Sequence, residues 1–165
     1  MIAIRKNGRT IARGLTRAAL VAGALSVAAA AAHAGQCPAD KTGADVTKPS
    51  TAAAQGVTDV VLGSIDLAKE PASIPDRQFR LRRLEIKPGG IVPWHSHGDR
   101  PAIIYIVKGE VLEYASNCAV PIVHKAGEVA VETHATAHWW KNTGKTTVIL
   151  LSADLLHSGA EQHMM

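Results

Sequence analysis

From Val57 onward the chain is written in short, β-branched apolar runs punctuated by glycine and proline, without a long 3.6-residue period. "VTDVVLGSI" is the first such run, and "LAKEPASIPD", with Pro71 and Pro75, closes it as a loop. "QFRLRRLEI" places Phe79 and Leu81 on one parity and Leu84 and Ile86 on the other. That slip predicts a bulge or a strand bordered on both faces. "KPGG" at 87–90 reads as a turn, "IVPWHSH" as a strand, "GDRP" as a turn and "AIIYIVK" as a strand. Lys108-Gly109 is expected to close a hairpin with "EVLEYAS". "VPIVHK", "EVAVE", "HWWKN" and "TTVILLSADLL" complete a set of strands at the spacing of an all-β sandwich or barrel.

The ends of the chain are of another kind. Arg5, Lys6, Arg9, Arg13 and Arg17 precede the apolar run "AALVAGALSVAAAAA", and Ala32-His33-Ala34 follows as an A-x-A cleavage signal. This is the pattern of a secretory signal peptide over 1–34, cleaved after Ala34. The apolar run is short against the roughly 20 residues that span a bilayer, so no stable membrane anchor is expected after cleavage. No twin-arginine pair precedes it, which points to general secretion and a periplasmic or secreted protein. Residues 35–56 are small, polar and broken by proline and glycine, an extended N-terminal arm. The barrel is expected over 57–157, with a C-terminal tail at 158–165 that holds His163.

Cleavage changes the charge. The whole chain is +4, but the leader carries five of the 18 basic residues and none of the 14 acidic ones, leaving a net charge near −1. The basic balance therefore belongs to the leader, and no nucleic-acid partner is expected. The remaining length suits one domain with one core. Cys37 and Cys118 meet an oxidising compartment, where an intramolecular disulfide is the expectation and free thiols or an intermolecular bridge the alternatives.

The chemistry sits in "PWHSH". His95 and His97 project from one face of a strand, with Cα atoms roughly 6.5–7 Å apart, close enough to converge on one ion. Ile91 and Pro93 share that face, so it points inward, and buried histidines need partners. A third histidine has to come from elsewhere: His124, His134, His138 and His157 are the candidates. His138 opens "HWWKN" after a turn-like "THATA"; His134 reads as a turn residue, and His124 and His157 as ordinary surface or terminal histidines. Asp99 and Glu132 are possible extra ligands, Asp99 by its parity and Glu132 by its place before the second turn. Both are weighed against solvation or pairing with Arg100 or Lys141. Ala102, Ile104 and Ile106 share one parity and are expected to line an apolar pocket. One of Trp139 and Trp140 should join them, taken as Trp140.

These residues resemble the cupin superfamily. "GGIVPWHSHGDRPAIIYIVKG" is similar to its first motif, with Gly89, His95, His97 and Gly109 in register and Ala102 where the motif has a glutamate. "GEVAVETHATAHWWKN" is similar to the second, with Gly127, His138 and Asn142 in register and Thr133 and Ala135 replacing its proline and inner glycine. The resemblance covers about residues 78–153. It implies a cupin-type jelly-roll β-barrel with one divalent metal ion on His95, His97 and His138, the fourth ligand position vacant. Imidazoles suit several ions, with Fe2+ favoured and Zn2+, Mn2+, Ni2+ or Cu2+ open. Three neutral imidazoles leave the ion its full +2 charge, which draws anionic ligands. Cupin dioxygenases with three histidines are known, so the resemblance implies a dioxygenase-like oxidoreductase on a small organic substrate. A non-catalytic metal- or ligand-binding envelope cupin is the alternative, and zinc-type hydrolase or isomerase chemistry a third reading. Cupins often pair through their sheets, so a homodimer is expected, with Tyr105 and the outward tryptophan on the shared face.

Overall fold

The computed structural model describes residues 35–157 of the 165-residue chain. The expected signal peptide and C-terminal tail lie outside the described residues. Eight strands follow one another: β1 (Gln55–Asp66), β2 (Arg77–Ser96), β3 (Ala102–Lys108), β4 (Glu110–Ala115), β5 (Ile122–Lys125), β6 (Val129–Glu132), β7 (Ala137–Lys141) and β8 (Val148–His157). They hydrogen-bond antiparallel in the order β5-β4-β7-β2-β8-β3-β6, with β1 on β2, and curl into a nearly closed barrel. Among the described residues no helix is long and apolar enough to cross a membrane.

Two of the expected turns are different features. β2 runs unbroken through 87–90, and Gly89 (φ +76°) bends the strand there instead of reversing it. The bend lets one strand serve two neighbours: Arg77–Ile86 pairs with β8, and Ile91–Ser96 with β7. Asn142 holds the bend. Its side-chain amide donates to the carbonyls of Ile86 and Thr146 (both 2.8 Å), and its backbone N–H donates to Gly90. The Lys108–Gly109 junction makes no hairpin, because β3 pairs with β6 and β8 while β4 pairs with β5 and β7. Gly109 (φ +86°) carries the chain across the barrel, and a Cβ there would press on Val148.

The bulge expected from the parity slip of "QFRLRRLEI" lies on the β1 side, where the register shifts between Val61 and Gly63 opposite Arg82 and Leu81, and the strand is not covered on both faces. The β2–β8 register is continuous from Arg77 to Ile86, and Phe79 and Leu81 are exposed. The even positions all point inward: Arg80 and Arg82 are as buried as Leu84 and Ile86. β8 mirrors the change, with Val148 and Leu150 inside at one end and Ser152 and Asp154 at the other. The barrel thus has an apolar half, packed by Leu84, Ile86, Ile106, Val111, Val148 and Leu150, and an ionic half.

In the ionic half Arg80 grips Asp154 with Nε and Nη2 at 3.0 and 2.8 Å, the forked geometry favoured by guanidinium–carboxylate pairs. Arg82 donates to Asp59 (2.6 Å) and Ser152 (3.2 Å) and lies 3.2 Å from Asp154. Such charges stay buried only because each is paired. On the far side, Cys37 and Cys118 form a disulfide with Cα atoms 5.7 Å apart, tying the N-terminal segment to the end of β4. Thr47 Oγ1 reinforces it by donating to the Cys118 carbonyl at 2.6 Å.

Candidate metal centre

His95 on β2 and His138 on β7 face each other as register partners, and His97 lies just past the end of β2. The three Nε2 atoms form a triangle with every side 3.1 Å. His97 and His138 are 1% and 0% exposed, so water does not separate the rings.

The opposite edge of each ring is already committed. His95 Nδ1 donates to the Pro93 carbonyl (2.9 Å), His97 Nδ1 to the Arg100 carbonyl (2.8 Å) and His138 Nδ1 to Glu113 Oε1 (2.6 Å). A neutral imidazole carries one N–H, and once Nδ1 holds it Nε2 presents a lone pair. With all three rings neutral, three lone pairs therefore meet at 3.1 Å with no proton to share between them. Glu132 adds two more acceptors, its Oε2 2.8 Å from His97 Nε2 and its Oε1 3.3 Å from His138 Nε2. Glu132 is 3% exposed, and its Oε1 has no hydrogen-bond donor. A cation between these atoms turns mutual repulsion into coordination, so the donor set fits a metal ion.

The titration behaviour follows from the same crowding. Burial, with the adjacent His138, pushes His95 down to about 2, so that ring stays neutral. Burial also works against a charged His138, but the negative charges of Glu132 and Glu113 outweigh it and raise its pKa. Burial alone would raise Glu113; hydrogen bonds from His124 and His138 more than offset it and take the carboxyl down to about 2. The cluster is poised to recruit positive charge.

Behind His138 stands a chain of polar groups. Glu113 accepts from His138 on one oxygen and from His124 Nε2 (2.7 Å) on the other. His124 is fully buried and stacks on Trp140 with ring centroids 4.8 Å apart. It is no surface histidine, contrary to the expectation from its position in "VPIVHK". The alternation of "EVLEYA" and "PIVHK" was the available signal: Glu113 shares inward parity with Val111 and Ala115, and His124 with Ile122. The buried Arg80, Arg82 and Asp154, with the partly buried Asp59, were likewise missed, because arginine at alternate strand positions reads as solvated.

The other expected residues divide. Glu132 reaches the histidines. Asp99 is exposed and paired instead with Arg77 (2.7 Å) and His157 (2.8 Å). His134 lies exposed in the loop before β7. Ile104 and Trp140 line the small cavity at the histidines, with Arg82, Val92, Leu150 and Ser152. Ile106 instead packs into the apolar core, and Ala102 borders a separate outer cleft with Phe79 and Val131. Trp139 faces away and stacks on Tyr114 at 4.2 Å.

A nearly closed antiparallel barrel with a histidine cluster on facing strands defines a double-stranded β-helix protein. Residues 82–154 match the Cupin_2 family, so this part of the chain is a cupin domain. It is 33% identical over 76 residues to germin-like protein subfamily 2 member 2 of Arabidopsis thaliana, covering 44% of this chain and 35% of the relative. It is 27% identical over 128 residues to nectarin-1 of Nicotiana langsdorffii x Nicotiana sanderae, covering 71% of this chain and 53% of the relative. The chain thus spans about a third to a half of these relatives' lengths. A solved double-stranded β-helix protein of Klebsiella pneumoniae superposes with a TM-score of 0.50 at 18% identity, over 70% of this chain and 87% of the other.

Proposed function

We propose that the protein is a divalent-metal cupin holding one ion on His95, His97 and His138, and that it acts as a dioxygenase-like oxidoreductase on a small organic anion. The observation that carries this reading is the meeting of three Nε2 lone pairs at 3.1 Å, each fixed by a hydrogen bond at the opposite ring edge. His95, His97 and His138 would hold the ion at the wall of the cavity that Ile104 and Trp140 also line. A redox-active ion bound there supplies activation of oxygen together with binding of the substrate's anionic group. The chain's own residues do the rest. Pro93, Arg100 and Glu113 keep the rings aimed, Arg82 brings positive charge to the cavity wall, and Val92, Ile104, Trp140 and Leu150 exclude water.

One observation favours a second reading, a non-catalytic metal-binding barrel. The cavity at the histidines has about 20 Å³ of free volume, enough for a water-sized ligand, so an organic molecule requires side chains to move. Metal analysis of the purified protein, then oxygen uptake after anaerobic loading with Fe2+ against carboxylate, enolic, phenolic and thiol compounds, separates the two. Substrate-linked uptake supports the oxidoreductase. A tightly held ion without turnover supports the binding module, and His138→Ala with full metal occupancy rejects the ligand set.

We further propose export to the periplasm or beyond, for which the Cys37–Cys118 disulfide is the supporting feature.

A further inference from the structure

Ala102 occupies the place where the first cupin motif has its glutamate, which leaves a centre of three neutral imidazoles. The fold supplies a carboxylate from next door. Ala102 and Glu132 are register partners across the β3–β6 pair. Both point inward, while Ile103 and Val131 between the same strands point out and are exposed. Directly opposed residues of an antiparallel pair have Cβ atoms about 5 Å apart, a gap that a glutamate side chain covers. The methyl group of Ala102 leaves that space open.

We propose that Glu132 is the carboxylate ligand of this centre, moved one strand over from the position Ala102 vacates. The inference rests on the metal-centre reading above and deepens it. Glu132 Oε2 lies 2.8 Å from His97 Nε2 and Oε1 3.3 Å from His138 Nε2, so the carboxylate completes the ring of acceptors instead of turning to solvent. Its Oε1 is buried with no donor, a position that costs free energy unless a cation fills it. Arg100 lends its positive charge to the carboxylate, which still lies against the histidines. Three neutral imidazoles and this carboxylate bring a divalent ion to a net +1. That is the charge the usual motif gives, reached from a different strand.

Relocation predicts that the two positions are interchangeable. Mn2+ titration of the metal-free protein, followed by the EPR signal of free Mn2+, measures affinity without reference to turnover. The set is wild type, His97→Ala, Glu132→Gln and the double variant Ala102→Glu/Glu132→Gln, with thermal unfolding of each metal-free form as the check on folding. Glu132→Gln is expected to weaken binding about a hundredfold or more, and the double variant to recover to within about tenfold of wild type. Wild-type affinity in folded Glu132→Gln, with binding abolished in His97→Ala, overturns the inference and leaves a three-histidine centre. A loss in Glu132→Gln that the double variant does not recover overturns it as well, since Glu132 then has no equivalence to the vacated position. Failure of the wild-type protein to bind any divalent ion is the separate result that removes the metal-centre reading itself.

Discussion

Glu113 Oε1 accepts a 2.6 Å hydrogen bond from His138 Nδ1, fixing which edge of that ring faces the cluster. The same carboxylate accepts from His124, so it is anchored from behind and cannot swing away. Substituting Glu113 by glutamine keeps the shape but puts an N–H₂ group against one of two donors. The expected outcome is a tenfold to hundredfold loss of metal affinity with the barrel intact. Isothermal titration with Zn2+ and circular dichroism of the variant check both parts.

The metal-free protein should be most stable near neutral pH, because His95, held neutral with its pKa pushed down to about 2, costs stability as pH falls below its ordinary value of 6.5. Glu113 is depressed to about 2, so its contribution is present above its ordinary value of 4.5 and disappears as pH falls towards 2. His138 is raised, so its contribution is complete below 6.5 and is lost as pH climbs through the raised value. Thermal unfolding in chelator across this range should trace a maximum between the two groups. Glutamine at 113 should flatten its acid side, by a few kcal/mol at most. A curve rising steadily to pH 9 would contradict this.

Much of this was legible in the sequence because two patterns agree there. The short β-branched runs specify strands, and the histidine spacing places His95, His97 and His138 on neighbouring chain segments that the barrel brings together. What stayed hidden depends on partners distant in the chain. Arg80 and Arg82 lie inside because Asp59, Ser152 and Asp154 meet them there, up to 74 residues away. The place of Glu132 just before the second turn pointed it towards the cavity, but only its register opposite Ala102 shows which vacancy it faces. The missing β3–β4 hairpin has the same origin: Lys108-Gly109 has turn chemistry, and the jelly-roll connection uses it to leave the sheet neighbour rather than pair with it.

The disulfide closes a loop spanning 81 residues, from Cys37 to Cys118. Constraining so long a loop in the unfolded chain is worth at most about 4.5 kcal/mol. Reduction, or replacement of both cysteines by serine, should therefore lower the melting temperature by roughly 10–15 °C for a domain of this size. Metal affinity should change little, since the histidines are carried by β2 and β7 and not by the arm. Scanning calorimetry with and without reductant tests the first statement, and metal titration of the reduced protein tests the second.

Asp154 is the shared acceptor of the ionic half, meeting Arg80, Arg82 and Arg100 from a side chain with no exposure. Arg100 also gives its backbone carbonyl to His97 Nδ1, so this network abuts the candidate ligands. Replacing Asp154 by asparagine preserves volume but removes the negative charge shared by two buried guanidiniums and the partly buried one of Arg100. A loss of about 3–5 kcal/mol in stability is expected, the range for breaking a buried ion pair from one side. Leucine at both 80 and 154 removes the forked pair together, leaves Arg82 its partner Asp59, and should cost less than asparagine at 154 alone. Urea unfolding of the two metal-free variants gives the comparison directly. If the asparagine variant is the more stable of the two, the ionic half is held by packing rather than by charge pairing.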